Sequence, residues 1–217
     1  MTWLDEITPK HIQELVPYAS ARREALSGEV WLNANENPYI GPTPEGLSQL
    51  NRYPECQPEQ LTDGFARYAG VKQEQVLVTR GIDEGIDLLT RAFCISGEDS
   101  IIYTPPTYGM YKISAETNNI GVMAVPLESD WSLDVQGILQ EVSSSKLIYL
   151  CSPNNPTGSL LSRGDLSMII QAAAGKALVV VDEAYVEFAP ESSMVSLLSK
   201  YPNLVVMRTL SKAFGLA

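Results

Sequence analysis

The stretch "KLIYLCSPNNPTG" (residues 146–158) runs five apolar residues, Leu147 to Cys151, straight into a cluster of Ser, Asn, Pro, Thr and Gly. A run of that length is a strand rather than a helix, and its lack of polar alternation means cover on both faces. The polar cluster is turn chemistry, since Asn, Pro and Gly each favour a tight change of direction. The same form recurs in "ALVVVDEAY" (177–185) and "LVVMRTLSK" (204–212).

Working outward, "QVLVT" (75–79), "SIIYT" (100–104) and "GVMAVPL" (121–127) extend the series of strands. Between most of them lie segments with helical spacing. Ile86, Leu89 and Phe93 form one apolar face, and Leu166, Ile169 and Ile170 form another behind a Ser162 cap with Asp165 three residues on. Strands alternating with helices predict βαβ units and an α/β fold, a mostly parallel sheet with helices on both faces. The first part of the chain differs. "TPKHIQELVPY" predicts a short helix capped by Thr8 with Pro9 in its first turn. "NANENPYIGPTPEG" (33–46) is loop-like, and "EQLTDGFARYAG" (59–70) predicts a helix with Leu61 and Phe65 on one face and Gly70 as its stop. Residues 1–30 are therefore read as an N-terminal arm, and 31–217 as the main domain.

The chain has 217 residues, a formal net charge of −11 and no low-complexity segment or repeat of fixed period. That charge argues against nucleic-acid or anionic-membrane partners, which need a basic face, and it sets a problem for any phosphate ligand. "MTWLDEITPK" lacks the basic and apolar regions of a secretory signal, and no apolar run is long enough to cross a bilayer. Cys56, Cys94 and Cys151 are odd in number and far apart, which fits buried free thiols in a reducing cytoplasm. His11 is the sole histidine, so no metal site is expected.

In an open α/β sheet ligands collect beyond the carboxyl ends of the strands. The sequence puts Asn154-Asn155-Pro-Thr-Gly, Asp182-Glu183-Ala-Tyr185 and Thr209-Leu-Ser211-Lys212 at three such ends, with "VLVTRGIDEGIDLL" (76–89) opening a helix nearby. Taken singly, each has a structural reading. The asparagine run makes a turn, Asp182 caps the next helix, Asp83 and Glu84 favour the positive end of theirs, and Lys212 is solvated. Together they form a pattern that those separate readings do not explain.

With "SARR" (20–23), "LNANENP" (32–38), "NRYPECQP" (51–58), "RGIDEGIDLLTRAFC" (80–94), "PPTYGMY" (105–111), "CSPNNPTG" (151–158), "DEAYVEF" (182–188) and "RTLSKAFGLA" (208–217), the chain resembles the aspartate-aminotransferase superfamily of pyridoxal-phosphate enzymes. Within it the chain is similar to the histidinol-phosphate aminotransferase family, over essentially its whole length. The resemblance implies a fold type I large domain, pyridoxal 5'-phosphate as cofactor, and amino-group transfer between L-histidinol phosphate and 2-oxoglutarate in histidine biosynthesis. A cytoplasmic homodimer is implied as well. Lys212 matches the lysine that binds the cofactor aldehyde covalently and then moves the substrate Cα proton. Asp182 matches the carboxylate beside the pyridine nitrogen. Asn155 and Tyr185 match the partners of the ring 3-hydroxyl, and Tyr108 the aromatic stacked on the ring. The N–H groups of Ile82, Asp83 and Glu84, with the Ser211 hydroxyl, match the phosphate cradle. Tyr53 matches a tyrosine reaching the phosphate from the neighbouring subunit, and Tyr18 a position near the substrate.

Chains of that family continue past the lysine with a phosphate-binding arginine and a small C-terminal domain carrying substrate-binding arginines. The present sequence stops at Ala217. The expectation is an incomplete large domain without the small one, with activity impaired accordingly. Another pyridoxal-phosphate enzyme of the same fold, such as a threonine-phosphate decarboxylase, and a non-catalytic remnant are the competing readings.

Overall fold

A computed structural model of the chain describes residues 3–17, 30, 34–39 and 50–217. The chain divides into two compact units, Met1–Glu14 with Thr79–Ala217, and Leu15–Val78.

The larger unit is built on five parallel strands, β1 (Ser100–Tyr103), β2 (Gly121–Ala124), β3 (Leu147–Cys151), β4 (Leu178–Asp182) and β5 (Leu204–Met207), in the order β2-β1-β3-β4-β5. All five residues of β3 and of β4 are buried, as their unbroken apolar runs predict. Odd and even positions part to opposite faces, the two-residue period of a strand. Ile148, Leu150, Val179 and Val181 pack with Ile138, Leu166, Ile169 and Ile170. On the other face, Leu147, Tyr149, Leu178 and Val180 pack with Ile86, Tyr111, Ala115 and Ile7.

The helices supplying those partners are α1 (Trp3–Ile7), α4 (Gly81–Phe93), α5 (Met110–Thr117), α6 (Val135–Glu141) and α7 (Arg163–Ala172). Ile86 of α4 is fully buried, with Leu89 and Phe93 packed beside it. Helix α7 starts as its sequence predicts, with the Ser162 side chain accepting from the Asp165 N–H. The chain turns back from β1 to β2 through α5, then crosses to β3 on the far side of β1. The strand order thus reverses between β1 and β3, where open sheets leave a crevice.

Three local expectations change. Residues 76–79 form no strand, and the Gln57 amide takes both ladder groups of Val78, accepting from its N–H at 2.7 Å and donating to its carbonyl at 2.8 Å. Thr8 does not cap the helix that follows. Its hydroxyl donates back to the Leu4 carbonyl at 2.7 Å, closing α1, and Pro9 occupies the cap position of α2 (Lys10–Gln13). In the smaller unit, α3 (Glu59–Ala69) ends at Gly70 in the left-handed region (φ 71°), but it buries Thr62 and Ala66 rather than Leu61, which is exposed.

In that smaller unit the "NENP" and "NRYPE" motifs are tied together by Glu36. Its carboxylate pairs with Arg52 at 2.9 Å and accepts from the Tyr53 N–H at 2.6 Å. The Asn51 amide donates to the Asn37 carbonyl at 2.9 Å.

Candidate active site

Beyond the carboxyl ends of β3, β4 and β5 lies a cavity of about 540 Å³. Its walls come from successive turns, each shaped by local chemistry. After β3, the Ser152 N–H donates to the Asp182 carbonyl at 2.9 Å, carrying the sheet ladder one residue further. Asn154 is buried and acts as a hub. Its amide oxygen accepts from Thr107 at 2.8 Å, and its nitrogen donates to the Pro106 carbonyl at 3.0 Å and to Thr157 at 2.8 Å. These bonds fasten the loop after β1 to the loop after β3. The next residue, Asn155, faces the cavity.

The loop held by Asn154 carries Tyr108, another wall residue, whose hydroxyl donates to Asp83 Oδ1 at 2.9 Å. Burial, then the Asp83 carboxylate, pushes the Tyr108 hydroxyl up to about 12, so it stays a neutral donor at physiological pH. Asp83 belongs to the first turn of α4, which opens at Gly81 with φ 71°, a conformation an L side chain enters only with strain. The Thr79 hydroxyl braces that turn by donating to the Gly81 carbonyl at 2.8 Å. Gly81, Ile82 and Asp83 line the cavity, as does Arg80. Glu84 does not: its carboxylate folds back onto the Arg80 N–H and guanidinium, and the Arg80 amide holds it below the ordinary glutamate value.

At the end of β4 two adjacent acids take opposite duties. Glu183, 1% exposed, points away and is saturated by the Met194 N–H (2.5 Å), the Ser193 hydroxyl (2.9 Å) and Arg208 (Nε at 3.1 Å, Nη2 at 3.0 Å). Asp182, 2% exposed, lines the cavity. It accepts from Tyr111 Oη at 2.5 Å on Oδ2 and from the Ala184 N–H at 3.0 Å on Oδ1. Burial raises its pKa above the ordinary aspartate value, and those two hydrogen bonds pull against the shift.

After β5, Ser211 donates its N–H to Thr209 Oγ1 at 3.1 Å and accepts from the same hydroxyl at 3.0 Å. Lys212 lines the cavity, with its Nζ 5.9 Å from the Tyr185 ring centre. The structure thus brings Ile82, Asp83, Tyr108, Asn155, Asp182, Tyr185, Ser211 and Lys212 to one cavity. Tyr53 belongs to the other compact unit and is 63% exposed, and Tyr18 lies outside the described residues. Asn154 stands in the predicted polar turn after β3, but its role as a hub, and the contacts of Thr107 and Tyr111, are not legible in the sequence. The only signal for Tyr111 was its helical spacing from Tyr108. Of the cysteines, all free, Cys94 and Cys151 are buried, but Cys56 is exposed. Among the described residues no group of three or more His, Cys, Asp or Glu could hold a metal ion, and no helix is long and apolar enough to cross a membrane.

A lysine and a buried aspartate thus stand beyond adjacent strands of a parallel sheet, with a helix amino end on the same cavity. The chain matches the family "Aminotransferase class I and II" over residues 28–217, and it belongs to that family. A curated relative, the histidinol-phosphate aminotransferase of Vibrio parahaemolyticus, is 54% identical over 214 residues, 99% of this chain and 62% of the relative. The chain therefore spans about three fifths of that relative's length. Among solved structures, the histidinol-phosphate aminotransferase of Clostridium acetobutylicum superposes with a TM-score of 0.66 at 25% identity, covering 72% of this chain and 46% of that one. The Sinorhizobium meliloti enzyme, solved in complex with pyridoxal-5'-phosphate, has a TM-score of 0.66 at 28% identity, covering 72% and 43%.

Proposed function

We propose that the protein carries the cofactor-binding domain of a histidinol-phosphate aminotransferase, moving an amino group between L-histidinol phosphate and 2-oxoglutarate with pyridoxal 5'-phosphate held in the cavity. The observation that carries this reading is the meeting of Asp182 and Lys212 on one cavity wall.

The donor set fits the cofactor. Asp182 is a carboxylate buried with two neutral hydrogen-bond donors, an arrangement that leaves its charge uncompensated. A protonated pyridine nitrogen is the cationic partner such a group lacks. Lys212 offers a primary amine at the cavity, and the first turn of α4 offers backbone N–H groups and the positive end of a helix dipole to a phosphate. Bound there, pyridoxal phosphate supplies an electron sink for the bond broken at the substrate Cα.

In this reading Lys212 would hold the cofactor covalently through its primary amine and would be the base that moves the proton at the substrate Cα. Asp182 keeps the ring nitrogen protonated. Tyr108, held by Asp83, would pack against the ring, and Asn155 and Tyr185 would hold its 3-hydroxyl group. The N–H groups of Ile82 and Asp83, which line the cavity, would hold the phosphate together with Ser211. The exposed side chain of Tyr53 supports a homodimer in which it serves the neighbouring subunit's phosphate. The three free thiols fit a cytoplasmic setting.

The test is borohydride reduction of protein incubated with pyridoxal phosphate, followed by peptide mapping. The label is expected on Lys212 and should be lost entirely in Lys212→Ala. Absence of label at Lys212 in the unsubstituted protein overturns the site. Amino transfer from histidinol phosphate to 2-oxoglutarate, assayed beside decarboxylation of a phosphorylated amino acid, then decides the substrate.

A further inference from the structure

Asp182 is the most deeply buried acid on the cavity wall, and one side chain governs it. Tyr111 is fully buried in the first turn of α5, and its hydroxyl donates to Asp182 Oδ2 at 2.5 Å. The ring is immobilised from two sides. It stacks on Tyr149 with centres 4.8 Å apart and planes 9° from parallel, and it meets Tyr108 edge-on at 5.7 Å. Tyr149 in turn directs its hydroxyl at the Ile86 carbonyl of α4, at 3.4 Å. A hydroxyl on a rigid ring cannot follow a carboxylate that rotates, so it fixes where the carboxylate points.

The remaining groups around Asp182 do not share this task. Cys151, its register partner on β3, donates to the Pro153 carbonyl. Asp83 on α4 and the adjoining Glu183 are acids, so each opposes ionisation of Asp182. Tyr108 spends its hydroxyl on Asp83, and the Ala184 N–H binds the other carboxylate oxygen.

The geometry points to Tyr111 as a positioning residue for the proposed reaction, one that holds the Asp182 carboxylate ionised and aimed into the cavity so that it can keep the cofactor ring nitrogen protonated. This rests on the proposed cofactor site. Without the hydroxyl, Asp182 would retain one donor beside two acids and take up a proton more readily. A neutral Asp182 holds no charge on the ring nitrogen.

The experiment loads the unsubstituted chain, Tyr111→Phe, Asp182→Asn and the double variant with pyridoxal phosphate labelled with nitrogen-15 in the ring. The ring-nitrogen chemical shift and the dissociation constant are then measured across pH. Tyr111→Phe should move the nitrogen signal toward the neutral position and weaken binding roughly tenfold to a hundredfold, the effect of losing one hydrogen bond to a charged group. Added to Asp182→Asn, Tyr111→Phe should change neither reading further, because it acts through the carboxylate. A Tyr111→Phe protein with the unsubstituted nitrogen signal, or an equal loss in both backgrounds, overturns the inference while leaving the cofactor site standing. Failure of the unsubstituted protein to take up pyridoxal phosphate at Lys212 overturns the proposed function instead. One measurement needs no Tyr111 variant: the apo-protein should show a far-downfield hydroxyl proton that disappears in Asp182→Asn. Its absence from the unsubstituted apo-protein removes the hydrogen bond on which the inference stands.

Discussion

Asp182 and Glu183 are neighbours in sequence, both buried, and chemically opposite in use, because consecutive residues at a strand end point to opposite sides. Glu183 has a guanidinium partner and Asp182 has none among its hydrogen bonds. That difference sets a pH dependence. Burial raises the Asp182 pKa in the folded state above its unfolded value, so between the two the folded state binds more protons than the unfolded one. The contribution of Asp182 to apo-protein stability is therefore greatest below the ordinary aspartate range, and it declines as pH rises toward the folded pKa. Urea unfolding across this window should show that decline in the unsubstituted apo-protein. Asp182→Asn should flatten it, and an unchanged slope in that variant would assign the effect to another group.

At the scale of elements, the link from β4 to β5 contains no α-helix, only short 3₁₀ turns at Val186–Phe188, Pro190–Ser192 and Val195–Leu197. Glu183 organises that segment by accepting from Ser193 and Met194 while pairing with Arg208 just after β5. Removing it takes the acceptor from the Met194 N–H and the Ser193 hydroxyl, breaks the pair with Arg208 and frees the turn. Glu183→Ala should lower the unfolding free energy by about 3–5 kcal/mol, the usual result of breaking one side of a buried pair. A urea midpoint close to the unsubstituted value would show that the Ser193–Met194 turn holds without the acid. Much of this level was legible beforehand. The strands β1 to β5, the helix from Gly81 and the Ser162 cap follow from apolar period and capping chemistry. Residues 76–79 carry an equally apolar strand pattern, yet they pair with no strand, and the Gln57 side chain occupies the N–H and carbonyl of Val78. No local pattern encodes such a long-range partner.

For the whole molecule, the reversal of strand order between β1 and β3 gathers the loop ends around one cavity in the larger unit. A ligand that binds only the folded cavity stabilises that unit by mass action. Pyridoxal phosphate at a hundredfold excess over its dissociation constant should add about 2.7 kcal/mol. This corresponds to a rise of roughly 5–10 °C in the unfolding midpoint of a unit this size. Lys212→Ala should show a smaller shift, and equal shifts in the two proteins would mean that binding does not engage the lysine.

The amino-acid sequence by itself determined the parallel α/β architecture, the delivery of Asp182, Asn155 and Lys212 to the ends of adjacent strands, and the opening of α4 at Gly81. Each of these is local chemistry, namely apolar period, turn formers and a backbone that needs glycine. Only the tertiary structure decided which of two adjacent asparagines is the hub and which faces the cavity. It alone paired Glu183 with Arg208 and set Tyr111 on Asp182, 71 residues away along the chain. A hydrogen bond across that separation depends on how α5 packs against the sheet. The packing in turn depends on the whole apolar face of Tyr111, Ala115, Tyr149 and Val180, rather than on any residue near Asp182 in the chain.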